Sequence, residues 1–124
     1  MTNEALSRRE RQIMDLLFRM KEASAEEIRE SMEDAPSNAS VRTLLRILAE
    51  KQHIQYRTVG NKYLYSPATP TKEAGQSALN RVLDTFFGGS ATQAVATMLS
   101  RKEISEQELD ELQTMINKAR EEGR

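Results

Sequence analysis

The sequence contains no cysteine, a single histidine and no long apolar run, and each absence excludes a class of protein. Without cysteine there is no disulfide, no thiolate metal site and no cysteine nucleophile. No apolar stretch approaches the roughly 20 residues that a membrane-spanning helix needs. The first residues also lack the basic and then apolar pattern of a signal peptide. We therefore expect a cytoplasmic protein without membrane insertion.

The residues of a catalytic centre are also missing. The histidine, His53, follows Lys51 and Gln52 at an expected turn into a strand, where a satisfied surface histidine is the simpler interpretation. The chain has no glycine-rich phosphate loop and no pair of acids framed by apolar residues, so no set of groups suggests a reaction. We expect no enzyme, no metal site and no cofactor.

The charge is unevenly distributed along the chain. The net charge of −1 does not by itself favour a nucleic-acid partner. Between residues 37 and 66, however, Glu50 is the only acid, and this segment carries the basic residues Arg42, Arg46, Lys51, Arg57 and Lys62. A local basic patch is typical of a DNA-reading face. The alternative is a solvated surface on which basic residues cluster by chance.

Three short helices are predicted in the first fifty residues. Ser7 and Ser24 each precede a glutamate by three positions, the spacing of a capping box, and Ser37 is the expected N-cap of the third helix. Each helix has apolar residues at helical spacing on one face. The predicted inward residues are Ile13, Leu16, Leu17, Met20, Ile28, Met32, Val41, Leu44, Leu45 and Leu48.

The periodicity then changes to that of a hairpin. Residues 54–58 alternate between apolar and polar, Val59-Gly60-Asn61 supplies a turn, and residues 62–66 are rich in β-formers. Three helices followed by a hairpin are the parts of a winged helix-turn-helix, whose third helix enters the major groove. The predicted fold class is mainly α with a small β-hairpin.

A second, helical domain is predicted after Pro67 and Pro70, with domains at residues 1–70 and 71–124. Thr71 is the expected cap of a helix over residues 72–87, Gly88-Gly89 ends it, and Ser90 and Ser105 cap two more helices. Three narrow apolar faces make a poor monomeric bundle, so we expect them to meet across a two-fold axis. The alternative is packing against the winged helix. The predicted dimerisation residues are Leu79, Val82, Leu83, Phe86, Val95, Leu99, Leu109, Leu112, Met115 and Ile116.

The ordered set of motifs resembles the penicillinase and methicillin-resistance repressor family (the BlaI/MecI type), to which copper-export repressors are related. The resemblance covers nearly the whole chain, and the FFGGS segment after the hairpin makes it specific. The matching stretches are Leu6–Glu10, Ile13–Met14, Ala23–Ile28, Val41–Leu48 with Glu50–Lys51, Tyr63–Pro67, Phe86–Ser90 and Ile104–Leu112.

The resemblance implies a homodimeric repressor that binds double-stranded operator DNA with dyad symmetry. In several relatives a membrane metalloprotease sensor controls cleavage of the repressor, and copper relatives bind metal at C-terminal cysteines. Here the cleavage-prone Asn-Phe pair of the methicillin type aligns with Thr97-Met98, and the cysteines are absent. The resemblance therefore extends to the DNA-binding half but leaves the inducing signal open.

Eight residues are predicted to contact DNA. On the third helix, Arg42 and Arg46 lie four positions apart and therefore on one side, and the resemblance places Ser40, Arg42 and Thr43 at base edges or backbone. The residues do not decide which arginine reads a base and which holds a phosphate. The polar residues at or near the hairpin tip are the natural phosphate or minor-groove contacts of a wing. The full set is Asn38, Ser40, Arg42, Thr43, Arg46, Arg57, Asn61 and Lys62.

The role of the wing tyrosines and of the first arginines is less specific than that of the predicted DNA contacts. The tyrosines at 56, 63 and 65 are better interpreted as sheet packing than as DNA contacts, and the arginines at 8, 9 and 11 fit either a phosphate clamp or plain surface. The main rival is a winged helix that binds a protein partner, or a regulator whose C-terminal half binds a small ligand.

Overall fold

The computed structural model describes residues 5–34 and 36–123. This part of the chain forms six helices and one antiparallel hairpin, which we call the wing. In chain order the elements are α1 (Arg8–Met20), α2 (Ala25–Ser31), α3 (Asn38–Glu50), β1 (Ile54–Val59), β2 (Lys62–Pro67), α4 (Thr71–Phe86), α5 (Ala91–Ser100) and α6 (Glu106–Glu121). The prediction of a mainly helical chain with one hairpin is confirmed.

The first three helices begin where their capping residues predict. The Ser7 hydroxyl accepts from the Glu10 amide at 3.2 Å, while the Glu10 carboxylate accepts from the Ser7 amide at 2.7 Å. Ser24 and Glu27 repeat this capping box at the start of α2. Ser37 caps α3 by accepting from the Ser40 amide. Such caps satisfy amides that would otherwise lack partners, each worth about 1 kcal/mol.

One hydrophobic core holds α1, α2, α3 and the base of the wing. Most of the predicted inward residues are buried, and Leu16, Met20 and Leu44 are half-buried against them. Met14 and Ala23 are also buried, which the helical spacing did not predict. The largest fully buried side chains are Ile13, Leu17, Ile28, Leu45, Leu48 and Val41.

The two strands of the wing are joined by a two-residue turn, and their register runs from Ile54 opposite Pro67 to Val59 opposite Lys62. Gly60 opens the turn with a φ of 63°, a conformation that favours glycine. A third segment joins the sheet, because Ala23 and Tyr65 exchange backbone hydrogen bonds of 2.9 and 2.8 Å. This bridge, which no local sequence pattern predicts, connects the α1–α2 turn to β2.

A buried carboxylate connects the two ends of the helical core. Glu10 is 4% exposed, and both its oxygens lie 3.3–3.4 Å from Nζ of Lys51, which follows α3. The hydrogen bond from the Ser7 backbone lowers the pKa of Glu10, burial opposes this, and Lys51 lowers the pKa further. The capping box of α1 was the only role predicted for Glu10, so its pairing with Lys51 is a finding of the structure.

The environment of the histidine differs from the prediction. His53 is half-buried, and its Nε2 is enclosed without a hydrogen-bond partner among residues 5–34 and 36–123. The interpretation as a satisfied surface histidine is therefore wrong. His53 does lie at the predicted turn before β1. Its amide donates to the Leu48 carbonyl, and its carbonyl accepts from the Ala68 amide. Its side chain, however, lies closer to the core than a turn position suggests.

The chain divides into two compact units, one up to Gly75 and one from Gln76 onward. The predicted boundary lies at residue 70, ahead of α4, whereas this division lies within α4. Thr71 is the first helical residue and not the cap, because the carbonyl of Pro70 accepts from the Ala74 amide. The helix ends at Phe86, one residue earlier than predicted, because Gly88 and Gly89 adopt positive φ.

The second unit has no buried residue in its helices. Ser90 caps α5, and Ser105 forms a complete capping box with Glu108 at the start of α6, as predicted. The apolar side chains are nevertheless largely in solvent, with Phe86 75%, Met115 63% and Leu79 56% exposed. Within the described residues, no helix is both long and apolar enough to cross a membrane.

Candidate nucleic-acid interface

The outer face of α3 carries all five of its predicted DNA contacts. Burial of Val41, Leu45 and Leu48 fixes the rotation of the helix about its axis. Because 3.6 residues complete a turn, the intervening polar residues then face away from the core. The exposed set is Asn38, Ser40, Arg42, Thr43 and Arg46.

A groove of about 370 Å³ brings one side of α3 together with the tip of the wing. Arg42 contributes from α3, and Asn61 and Lys62 contribute from the turn and the start of β2. Three residues predicted to contact DNA from distant positions in the sequence thus line one concave surface. The start of α2 and two wing tyrosines complete the lining with Ser24, Ala25, Glu26, Tyr63 and Tyr65.

The other side of α3 borders a shallower hollow. Ser40 and Thr43 line it beside Ala39, and Arg9 of α1 closes one edge. One guanidinium nitrogen of Arg9 lies 3.5 Å from the Asp34 carboxylate, while its Nη1 is enclosed without a hydrogen-bond partner in the described part of the chain. Of the three arginines considered for a phosphate clamp, Arg9 therefore lies beside α3.

Two of the residues predicted to contact DNA form ion pairs with acidic residues of the same chain. Arg46 donates to Glu50 at 3.1 Å, and the two residues of this ion pair lie one helical turn apart. Arg57 donates through Nε and Nη2 to both oxygens of Glu22, at 2.7 and 2.8 Å. These hydrogen bonds lower the pKa of Glu22 and raise that of Arg57. Arg57 lies opposite Leu64 in β1, two residue pairs from the turn, so it is near the hairpin tip but not in the turn itself.

The tyrosines form an aromatic cluster on one face of the wing. Tyr56 and Tyr63 stack with ring centroids 4.3 Å apart, and Tyr65 packs against both. Tyr65 alone is buried, and this burial raises its pKa, while the positive charge of Arg42 opposes the shift. The prediction of sheet packing is right for Tyr65, whereas the other two rings pack on each other and remain about half exposed.

The arrangement suits an extended polyanion. Its basic and amide side chains surround an open groove and project from an exposed helix, as phosphate and base-edge contacts require. Glu26, at the same groove, was missed because its position in a capping segment gives no signal of its distance from Arg42. No group of three histidine, cysteine or acidic residues within the described ranges could hold a metal ion.

The model of the penicillinase repressor family matches residues 6–118. The chain belongs to the penicillinase repressor family. The winged helix-turn-helix assignment is thereby confirmed, and with it the interpretation of the chain as a DNA-binding transcriptional repressor. The predicted family resemblance is confirmed over the same extent that its motifs span. No curated protein sequence matches the chain.

The chain is similar to solved structures of Lactococcus lactis ZitR. A double mutant of ZitR matches with a TM-score of 0.50 and 19% identity, covering 98% of this chain and 78% of that one. Another structure, described as a zinc-responsive MarR family member, matches with a TM-score of 0.48 and 19% identity, over 99% and 80% of the two chains. At 19% identity, the likeness to the double mutant shows the fold alone.

The bond that aligns with the cleavage site of the methicillin type lies inside α5. The hydroxyl of Thr97 donates to the Gln93 carbonyl at 3.0 Å, and its carbonyl accepts from the Ser100 hydroxyl at 2.9 Å. Met98 is exposed. A protease that binds an extended peptide therefore needs α5 to open locally. Cleavage at Thr97-Met98 stays a prediction, as does control by a membrane sensor.

Proposed function

We propose that this repressor acts as a homodimer on operator DNA with dyad symmetry, inserting α3 into the major groove and laying the wing beside it. The observation that carries the DNA-binding half of the proposal is the groove shared by Arg42, Asn61 and Lys62. A DNA sugar-phosphate backbone lying between α3 in the major groove and the wing would contact all three of these side chains.

The chemistry of each side chain indicates which part of the DNA it contacts. Arg42 is exposed, and its five guanidinium donors suit the O6 and N7 acceptors of guanine. Thr43 and Ser40, on the other flank of α3, suit base edges or phosphates. Lys62 and Asn61 suit the backbone. Arg46 is the weaker candidate for base reading, because Glu50 already occupies part of its guanidinium.

The exposed apolar faces of α4, α5 and α6 support the dimer. Full burial of a large apolar side chain contributes about 1.5–3 kcal/mol, so leaving Phe86, Met115 and Leu79 in solvent forgoes a large stabilisation. A second copy of the chain can cover the same face symmetrically. Two DNA-binding units held at half-site spacing then bind with a high effective local concentration.

The test measures binding of the full chain to a labelled duplex from upstream of its own gene, by fluorescence anisotropy at two salt concentrations. Arg42→Ala should weaken binding by roughly 5- to 150-fold for each half-site, as expected for the loss of one bidentate contact with guanine per protomer. Arg101→Ala is the matched control, because this exposed arginine lies after α5 and pairs with Glu103. It should bind like the wild type.

Two results would contradict the proposal. Equal loss in both variants would mean that general charge, and not the groove, drives binding. No binding to the upstream duplex or to random genomic fragments at low salt would favour the rival function, a winged helix used for protein interaction. Sedimentation equilibrium of the same samples tests the dimer directly.

A further inference from the structure

The outer strand of the wing has little core to hold it. Ile54 is the one buried residue of β1, and the other five are exposed. An isolated two-stranded hairpin is marginally stable in water. Contacts other than hydrophobic burial must therefore hold the tip of the wing in a fixed position beside α3.

Two contacts link the wing to the α1–α2 turn, and they act on different strands. The Ala23–Tyr65 bridge holds β2, which is thereby the middle strand of the sheet. Arg57 belongs to the outer strand β1, and its guanidinium reaches Glu22, next to Ala23. Neighbouring strands lie about 4.8 Å apart, so the backbones of Glu22 and Arg57 are separated by about 10 Å, with β2 between them. Their side chains meet across β2.

The position of Arg57 gives this link mechanical importance. Only two residue pairs, Thr58 with Tyr63 and Val59 with Lys62, separate it from the turn. The pair therefore fixes β1 close to the residues that line the groove. Without it, the Ala23 bridge would still hold β2, but β1 would lose its link to the α1–α2 turn.

We propose that Arg57 is a positioning residue of the DNA interface, whose two-point pair with Glu22 sets where Asn61 and Lys62 lie relative to Arg42, and that it does not bind phosphate. The inference rests on the proposed function. Both nitrogens that face Glu22 are engaged, and the pair as a whole is neutral, so it offers little net attraction to a polyanion.

Arg57→Lys separates positioning from phosphate binding. Lysine keeps the positive charge but cannot form two parallel hydrogen bonds with one carboxylate. A phosphate contact would survive this change, whereas the link to Glu22 would lose its geometry. The reciprocal double variant Glu22→Arg/Arg57→Glu moves the cation off the wing and restores the pair.

The first readout is DNA affinity of the full chain as a function of salt. Since exposed ion pairs contribute at most about 1 kcal/mol, Arg57→Lys should weaken binding about two- to fivefold without changing the salt slope, and the reciprocal variant should recover the loss. Lys62→Gln is the control that removes a phosphate contact, and its slope should fall by about 0.9 per protomer. Wild-type binding by Arg57→Lys, or a fallen slope in the reciprocal variant, would overturn the proposal.

The second readout needs no DNA and separates this inference from the proposed function. Amide hydrogen exchange across β1 and β2 should accelerate in Arg57→Lys and return to the wild-type rate in the reciprocal variant. If DNA binding fails for the wild-type chain, the proposed function is wrong, and the exchange rates alone decide whether the pair braces the wing. Unchanged exchange in Arg57→Lys would overturn the proposal whatever the DNA data show.

Discussion

Replacing Glu10 with glutamine should destabilise the winged-helix unit in a pH-dependent way. The carboxylate is almost fully buried, accepts from the Ser7 amide and lies within 3.4 Å of the Lys51 ammonium. Glutamine keeps an oxygen for the Ser7 amide, but its NH₂ group can only donate and cannot pair with an ammonium. The change therefore removes the charge of the ion pair and one of the two contacts with Lys51, while the retained oxygen keeps its bond to the Ser7 amide and the capping geometry.

The magnitude follows from the type of bond that is lost. Hydrogen bonds to charged groups contribute about 1.5–3 kcal/mol, and the long Lys51 distances favour the lower end. For a unit of 60–100 residues, a loss of about 1.5 kcal/mol lowers Tm by roughly 6–12 °C. Glu27→Gln is the matched control, because Glu27 has the same role in the capping box of α2 but is exposed.

The sign of the pH dependence is set by the lowered pKa of Glu10 in the folded state. A carboxyl whose pKa falls on folding stabilises the protein above its usual value of 4.5, and this contribution disappears as the pH drops through the folded-state pKa. The difference in unfolding free energy between wild type and Glu10→Gln should be constant from neutral pH to about 5 and shrink below that. Urea unfolding across this range measures it. Equal losses for both variants at neutral pH, or a difference that persists in acid, would show that the charged Glu10–Lys51 pair does not stabilise the folded unit.

Three further predictions concern the wing turn, a helix cap and the second unit. Gly60→Ala should cost about 1 kcal/mol in unfolding free energy, since open space surrounds the position but its φ is positive. Ser37→Ala should also cost about 1 kcal/mol by removing the α3 cap, measured by urea unfolding with Ser31→Ala, at the end of α2, as a control. Phe86→Glu should produce monomers in sedimentation equilibrium and abolish cooperative operator binding, while Lys72→Glu, on the exposed first turn of α4, should remain dimeric. A dimeric Phe86→Glu variant would exclude this face as the interface.

Local sequence signals predicted the helices of this chain well. Capping boxes act over three residues and apolar stripes over one or two turns, so Ser7, Ser24 and Ser105 could be assigned from their neighbours alone. The hairpin followed from alternation and from the glycine of its turn. These signals also placed the exposed residues of α3 correctly, because burial of one face fixes the other.

The interactions that sequence reasoning missed join residues far apart in the chain. The Glu10–Lys51 pair spans 41 positions and the Glu22–Arg57 pair spans 35. The Ala23–Tyr65 bridge involves a single residue, too short to show the alternation of a strand. The same limit explains Arg57, which was predicted to contact DNA because it is a basic residue near the hairpin tip, while its partner Glu22 is distant in sequence.

The central claim is that a dimer reads a dyad operator through α3 and the wing. Hydroxyl-radical footprinting of the full chain on DNA upstream of its own gene tests it most directly. We expect two protected half-sites related by a dyad, with centres separated by about one helical turn or a multiple of it, and their loss in Arg42→Ala. A single unpaired protected site, or a pattern unchanged in Arg42→Ala, would contradict it.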